Sequence, residues 1–173
     1  PLWGMPADAL KARTGLSDKM RVGQVADLAQ DSTVAMRIRF DGAPPPAGQM
    51  YFRGPVLSRF DGLEWLPQNP TLAADPQLKA DLQPLGQPVG YEVTLQPQQQ
   101  PWVLVLDATP EAPALPRHEL RATPELQWLA ARPISELVRY RAQSYPEFRH
   151  GPLQQQLGLQ AYLGLPPGFN PRL

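Results

Sequence analysis

Proline constrains this chain more than any other residue type: 23 of its 173 residues are proline, whereas only 18% are charged. Each proline inside a helix removes a hydrogen bond and clashes with the preceding turn, so long helices are excluded over most of the sequence. Short strands joined by ordered loops are what remains. The length suits one domain, and 42% hydrophobic residues are enough to form a core.

Sixteen basic residues balance sixteen acidic ones, so the long-range attraction to phosphate that drives nucleic-acid binding has no source in the net charge. Cysteine is absent, which removes disulfides, thiolate metal sites and cysteine nucleophiles together. No stretch approaches the ~18 apolar residues of a helical membrane span. The chain opens at Pro1, not at a methionine, and a preceding segment is expected.

The side-chain period locates the strands. Val34, Met36, Ile38 and Phe40 alternate with Ala35, Arg37, Arg39 and Asp41, as in a half-buried strand. Pro44, Pro45 and Pro46 end it, and a second strand is expected over 50–56. Residues 58–66 read as a hairpin turning at Asp61-Gly62, a pairing that supplies positive φ and sets Arg59 opposite Glu64. The proline-rich stretch 67–88 reads as a surface excursion. Val89, Tyr91, Val93 and Leu95 share one strand face, and 102–106 is a continuous apolar run suited to a central strand. Further strands are expected over 118–122, 126–130 and 136–144; in the last, Val138, Tyr140 and Ala142 face inward and Arg139, Arg141 and Gln143 outward.

One short helix is expected over 24–29, and 153–165 contains a helix-compatible stretch before the Pro166-Pro167-Gly168 break. The pattern predicts an all-β, β-sandwich-like domain with a short N-terminal helix and long proline-rich loops. Residues 1–165 form one unit in this reading, and 166–173 a linker. Asn170 followed by Pro171 announces a helix start that the two remaining residues cannot complete.

The sequence offers little chemistry. His118 and His150 are the only histidines, and no Gly-x-Ser-x-Gly elbow surrounds any of the five serines. His118-Glu119 begins like a zinc-protease helix, but Ala122 stands where the second ligand belongs. His118 therefore reads as a surface histidine and His150 as a loop residue. Asp61 and Glu64 are a tempting carboxylate pair, yet Asp61 is explained by the turn and Glu64 by pairing with Arg59. No phosphate-binding glycine loop or calcium loop is present, and Pro70 disqualifies the glycosylation pattern at Asn69. Trp65, Trp102 and Trp128 fall in expected strands and read as core; Trp3 lies in the terminal segment. Catalytic, cofactor and metal residues are thus all expected to be absent.

Three groups of residues resemble a known family. Leu2-Trp3-Gly4-Met5-Pro6, residues 14–20 and residues 23–28 come first; Tyr51-Phe52-Arg53-Gly54-Pro55-Val56-Leu57 and Phe60-Asp61-Gly62-Leu63-Glu64-Trp65 follow; residues 162–172 close the set. Their order resembles the periplasmic part of bacterial TgpA-type transglutaminase-like proteins. The resemblance implies membrane helices before this region, a papain-like core with Cys-His-Asp machinery after it, and a later membrane helix. It implies an inner-membrane parent and a downstream core as partner. None of the family's catalytic residues maps onto this chain. A non-catalytic accessory domain is the first expectation; a glycan- or peptide-binding module using an exposed aromatic strip is the alternative.

Overall fold

The computed structural model describes residues 17–21, 33–68, 81–152, 154 and 157–168. The helix expected over 24–29, Trp3, Asn69 and the Asn170-Pro171 signal lie outside these residues. Within them are thirteen short strands and two 3-10 turns, so the mainly β, sandwich-like architecture stands.

The first layer is an antiparallel sheet of three strands, β2 (Met36–Phe40), β7 (Val89–Leu95) and β12 (Val138–Ser144), with β7 in the centre. Alternation decides its faces. Tyr91, Val93, Leu95, Val138 and Tyr140 are buried, and Met36, Ile38 and Phe40 pack against them. Arg37, Arg39, Arg139, Arg141 and Gln143 lie exposed on the opposite face. Asp41 crosses β7 above Gly90 to meet Arg141 at 2.5 Å. A Cβ on Gly90 would sit 2.5 Å from the Asp41 carboxylate, so glycine at that position is what lets the ion pair form.

The second layer is built around the apolar run 102–106, which departs from the expected single strand. It splits into β8 (Trp102–Val103) and β9 (Val105–Leu106). β8 pairs with β11 (Trp128–Ala130), which pairs with β10 (Leu120–Ala122), whereas β9 pairs with β3 (Phe52–Arg53). Leu104, between the two halves, has a carbonyl that accepts the Tyr140 hydroxyl at 2.6 Å. A strand that changes partners at a sandwich corner must satisfy the backbone at the break, and Tyr140 does so here. Its burial, followed by the nearby Tyr91, pushes the Tyr140 phenol well above its ordinary range.

Three other expectations are corrected. The strand expected over 50–56 shortens to β3. Within the stretch read as an excursion, β6 (Leu82–Leu85) pairs with β13 (Glu147–His150), so His150 is a strand residue. Among the described residues β6 has one partner, β13, and such an edge position accommodates Pro84, which a central strand would not.

In the hairpin of β4 (Arg59–Phe60) and β5 (Glu64–Leu66) the turn lies one residue further on than expected, which moves the pairing by two: Arg59 faces Leu66, not Glu64, and Phe60 faces Trp65. Gly62 and Leu63 are the central residues, because the Asp61 N–H donates to Glu64 O at 3.1 Å while Asp61 Oδ1 accepts from the amides of Leu63 and Glu64 at 2.9 and 2.8 Å. Those amides hold the Asp61 carboxyl below its usual range. Gly62 has φ +109°. Gly62→Val is therefore expected to cost about 1 kcal/mol or more, read as a lower urea midpoint; an unchanged midpoint would show that the turn tolerates a branched side chain.

Candidate functional site

The carboxylates singled out in the sequence each have other partners. Asp61 is engaged by the turn, and Glu64 meets Arg21 at 2.7 Å and Lys19 at 4.0 Å, not Arg59. The cause is strand order. β1 (Met20–Arg21) lies on the other side of β5 and places Arg21 directly across from Glu64. The two histidines also lie apart in function: His118 Nδ1 bonds to Pro116 O at 2.9 Å and His150 Nε2 to Pro124 O at 3.1 Å. Among the described residues, no three histidines, aspartates or glutamates converge as a metal would require.

The tryptophans divide. Trp102 is buried, and Trp128 packs against the core while its Nε1 donates to Thr109 O at 3.0 Å. Trp65 is half-exposed beside Phe60, with ring centroids 5.1 Å apart.

The aromatic-Arg-Gly motif has a structural role that the sequence did not disclose. Arg53 donates from Nε and Nη2 to the two oxygens of Asp107, at 2.8 and 2.6 Å. The guanidinium also lies 5.6 Å from the centre of the Tyr51 ring, and the Asp107 N–H donates to Tyr51 O at 3.0 Å. The hydrogen bond to Asp107 raises the Arg53 pKa above its ordinary value. Phe52 meets Tyr91 edge-on at 6.0 Å, and Gly54 O accepts Gln127 Nε2 at 3.0 Å. Each residue from Tyr51 to Gly54 thus joins β3 to another part of the fold.

A second polar cluster is wholly buried. The Leu106 N–H donates to Tyr91 Oη at 2.7 Å, Tyr91 Oη lies 2.8 Å from Ser144 Oγ, and Ser144 Oγ lies 2.6 Å from Thr109 Oγ1, which donates to Leu106 O at 2.8 Å. Since the Thr109 proton goes to the carbonyl, Ser144 donates to Thr109 and Tyr91 donates to Ser144. The ring closes on Leu106 with every hydroxyl proton used. Both contacts of Ser144 Oγ are to hydroxyls, Tyr91 and Thr109.

Among the described residues, one exposed surface is apolar. Met20 faces Trp65 across β1 and β5, and both are half-exposed, while Leu63 at the hairpin tip is 72% exposed. The final described segment runs past this hairpin, with Pro166 Cγ 3.8 Å from the position of a Cβ on Gly62. It carries Leu163 and Leu165, 77% and 63% exposed. Two bonds tie it down: the Tyr162 hydroxyl donates to Glu125 at 2.6 Å, and Gln68 Nε2 donates to Ala161 O at 3.3 Å. Large exposed apolar side chains gathered in this way mark contact surfaces.

Comparison with known proteins identifies the family. Residues 1–150 match the family described as the TgpA N-terminal domain. The protein-glutamine gamma-glutamyltransferase of Pseudomonas aeruginosa is 33% identical over 147 residues, which are 85% of this chain and 21% of that protein. The crystal structure of the periplasmic domain of TgpA from Pseudomonas aeruginosa superimposes with a TM-score of 0.75 at 31% identity, covering 92% of this chain and 53% of that one. Its ethylmercury-bound form gives the same TM-score and identity over 92% and 54%. The chain thus spans about a fifth of the glutamyltransferase it matches. With nearly all of the chain superimposed and its first 150 residues matched, it belongs to the TgpA N-terminal domain family.

Proposed function

We propose that this chain is the non-catalytic periplasmic domain of an inner-membrane-anchored transglutaminase-like protein, and that it acts by packing on and positioning a downstream Cys-His-Asp core. Residues 1–165 are the folded unit and 166–173 the linker. The observation that supports the proposal is the exposed apolar set of Met20, Leu63 and Trp65, with Pro166 of the final described segment beside the Gly62 turn and Leu163 and Leu165 exposed just before it. A partner joined directly after Leu165 is held close to this set at high effective concentration, so modest apolar burial suffices for docking. The Tyr162–Glu125 and Gln68–Ala161 bonds fix the direction in which the linker departs.

The longer protein, carrying both units, tests this. Leu63→Asp combined with Leu165→Asp is expected to leave the first unit folded, loosen it from the core and reduce amine incorporation into glutamine substrates by roughly tenfold, the effect of about 1.4 kcal/mol of lost positioning. The 173-residue chain alone is expected to incorporate no amine above a buffer blank. Activity in that chain, or full activity and unchanged interdomain proteolysis in the double variant, would overturn the reading.

A further inference from the structure

A groove on the far edge of the second layer has the composition of a binding site. Strands β10 and β11 end there, and among the described residues β10 is the edge strand of its sheet. Two adjoining hollows meet at Glu119 and Ala131. One, of about 460 Å³, is lined by Arg117, His118, Glu119, Ala131 and Arg132. The other, of about 540 Å³, adds Leu120, Leu129 and Ala130 with Pro101, Pro133 and Arg121. Both volumes fall in the range of small-ligand sites.

The charges in this groove are not neutralised by described carboxylates. The Arg21, Arg39, Arg53, Arg139 and Arg141 side chains meet carboxylates elsewhere, and Arg37, Arg59 and Arg149 have none within 4 Å among the described residues, but the groove gathers three such arginines in its lining. Arg117, Arg121 and Arg132 have no ion pair or side-chain hydrogen bond with any described residue, and the single acid among them, Glu119, is equally unengaged. Three guanidinium groups thus face one carboxylate. Arg117 also has φ 64°, in the left-handed region that disfavours a long side chain. His118 is fixed by Pro116 O through Nδ1, which leaves its Nε2 available.

The backbone adds direction. The Ala131 N–H donates to Glu119 O and the Thr123 N–H to Gln127 O, so the odd-numbered residues 119, 121 and 123 turn their peptide groups toward β11. Leu120 and Ala122 accordingly present theirs to the open edge. By the same alternation Glu119, Arg121, Leu129 and Ala131 share one face, and Leu129, which also packs against the core, is the apolar floor.

We propose that this groove binds the C-terminus of a peptide ending in an apolar residue. The terminal carboxylate is taken by Arg117 and Arg132, whose planar donors match its geometry. The apolar side chain covers Leu129 between Pro101 and Pro133, and a backbone N–H of the peptide donates to Glu119. A free inorganic anion would use only the first of these contacts, and a neutral apolar molecule only the second. The inference is independent of how the apolar strip on the opposite hairpin is used.

The 173-residue chain, isotopically labelled, is titrated with acetyl-Ala-Ala-Leu bearing a free carboxylate, with the same peptide amidated, and with inorganic phosphate. The expected result is saturable shifts of amides confined to 117–122 and 129–132. Amidation and Arg132→Gln should each weaken binding about tenfold or more, the loss of one charge-assisted contact, while the unperturbed remainder of the spectrum reports an intact fold. Absence of saturation up to about 5 mM free peptide, in the range of the weakest specific affinities, would overturn the proposal. So would equal binding of the amide, or phosphate binding as tightly as the peptide. In the last case the arginines form a simple anion site.

Discussion

Tyr91→Phe is expected to lower the stability of the domain by about 1–3 kcal/mol, the cost of leaving buried polar groups without partners. The change removes one oxygen atom, but that oxygen both accepts the Leu106 N–H and donates to Ser144. Tyr91, Ser144 and Leu106 are essentially inaccessible to solvent, so water does not replace the lost bonds. Ser144→Ala breaks the same ring at another point and should cost a similar amount. The two losses should not add, because after the first break the remaining hydroxyls already lack their full set of partners. Urea titrations of both single variants and the double variant would check this. A double variant whose loss equals the sum of the single ones would show that the four groups do not act as one ring.

The same phenols set an alkaline limit. Burial raises the titration of Tyr91, and burial with the neighbouring Tyr91 raises that of Tyr140. A raised folded value means that the contribution is fully present below the unfolded tyrosine pKa of about 10 and is lost as pH rises beyond it, toward the folded value. Stability should therefore decline above about pH 10, and the decline should be shallower in Tyr91→Phe.

Arg53→Met is expected to cost about 2–3 kcal/mol, less than the 3–5 kcal/mol typical of breaking a fully buried ion pair, because the Arg53 and Asp107 side chains keep 20% and 13% of their exposure. The variant leaves the Asp107 carboxylate mostly desolvated with no countercharge and removes the group stacked near Tyr51. Arg53→Lys retains the charge but not the two-pronged geometry, and should recover less than half of the loss. Thermal unfolding is the measurement. At roughly 2–4 °C per kcal/mol for a chain of this size, Arg53→Met should melt several degrees lower, and Arg53→Lys nearer to it than to the parent. A lysine variant as stable as the parent would mean that charge alone matters at this position.

Strand position proved legible wherever one face is buried and the other wet. The alternation in 36–40, 89–95 and 138–144 reports directly which side meets the core, and all three segments lie side by side in one sheet. The run 102–106 was harder to read. Five consecutive apolar residues show burial on all sides, but this arises equally from one central strand and from two half-strands serving different sheets. Prolines misled in the opposite direction: Pro84 disguised β6 as a loop, although an edge strand tolerates it. The hairpin was recognised from Asp61-Gly62, yet its turn moved on by one residue and its pairing by two, with the Asp61 side chain taking the Leu63 and Glu64 amides. That choice lies in a side-chain rotamer, which residue order does not encode.

For the candidate sites, local residue identity carried even less. Asp61 was read as a turn residue and Glu64 as the partner of Arg59, but Glu64 meets Arg21 instead; His118 was read as a surface residue, and it lines a groove with Arg117, Glu119 and Arg132 that no local pattern announced. Arg53 and Asp107 are 54 positions apart, and nothing local to either indicates the other.

The sequence by itself determined the class of the fold, the faces of its regular strands and the family to which it belongs, since proline content, side-chain period and ordered motifs are properties of the chain read in one dimension. Tertiary structure alone decided the partners: which strand lies beside β5 and so neutralises Glu64, where the strand through Leu104 changes sheets, how Tyr91, Thr109 and Ser144 close a ring on Leu106, and which arginines are left without a carboxylate. Hydrogen bonds and ion pairs form between groups brought within about 3–4 Å, and a chain specifies such proximities only through the packing of the whole.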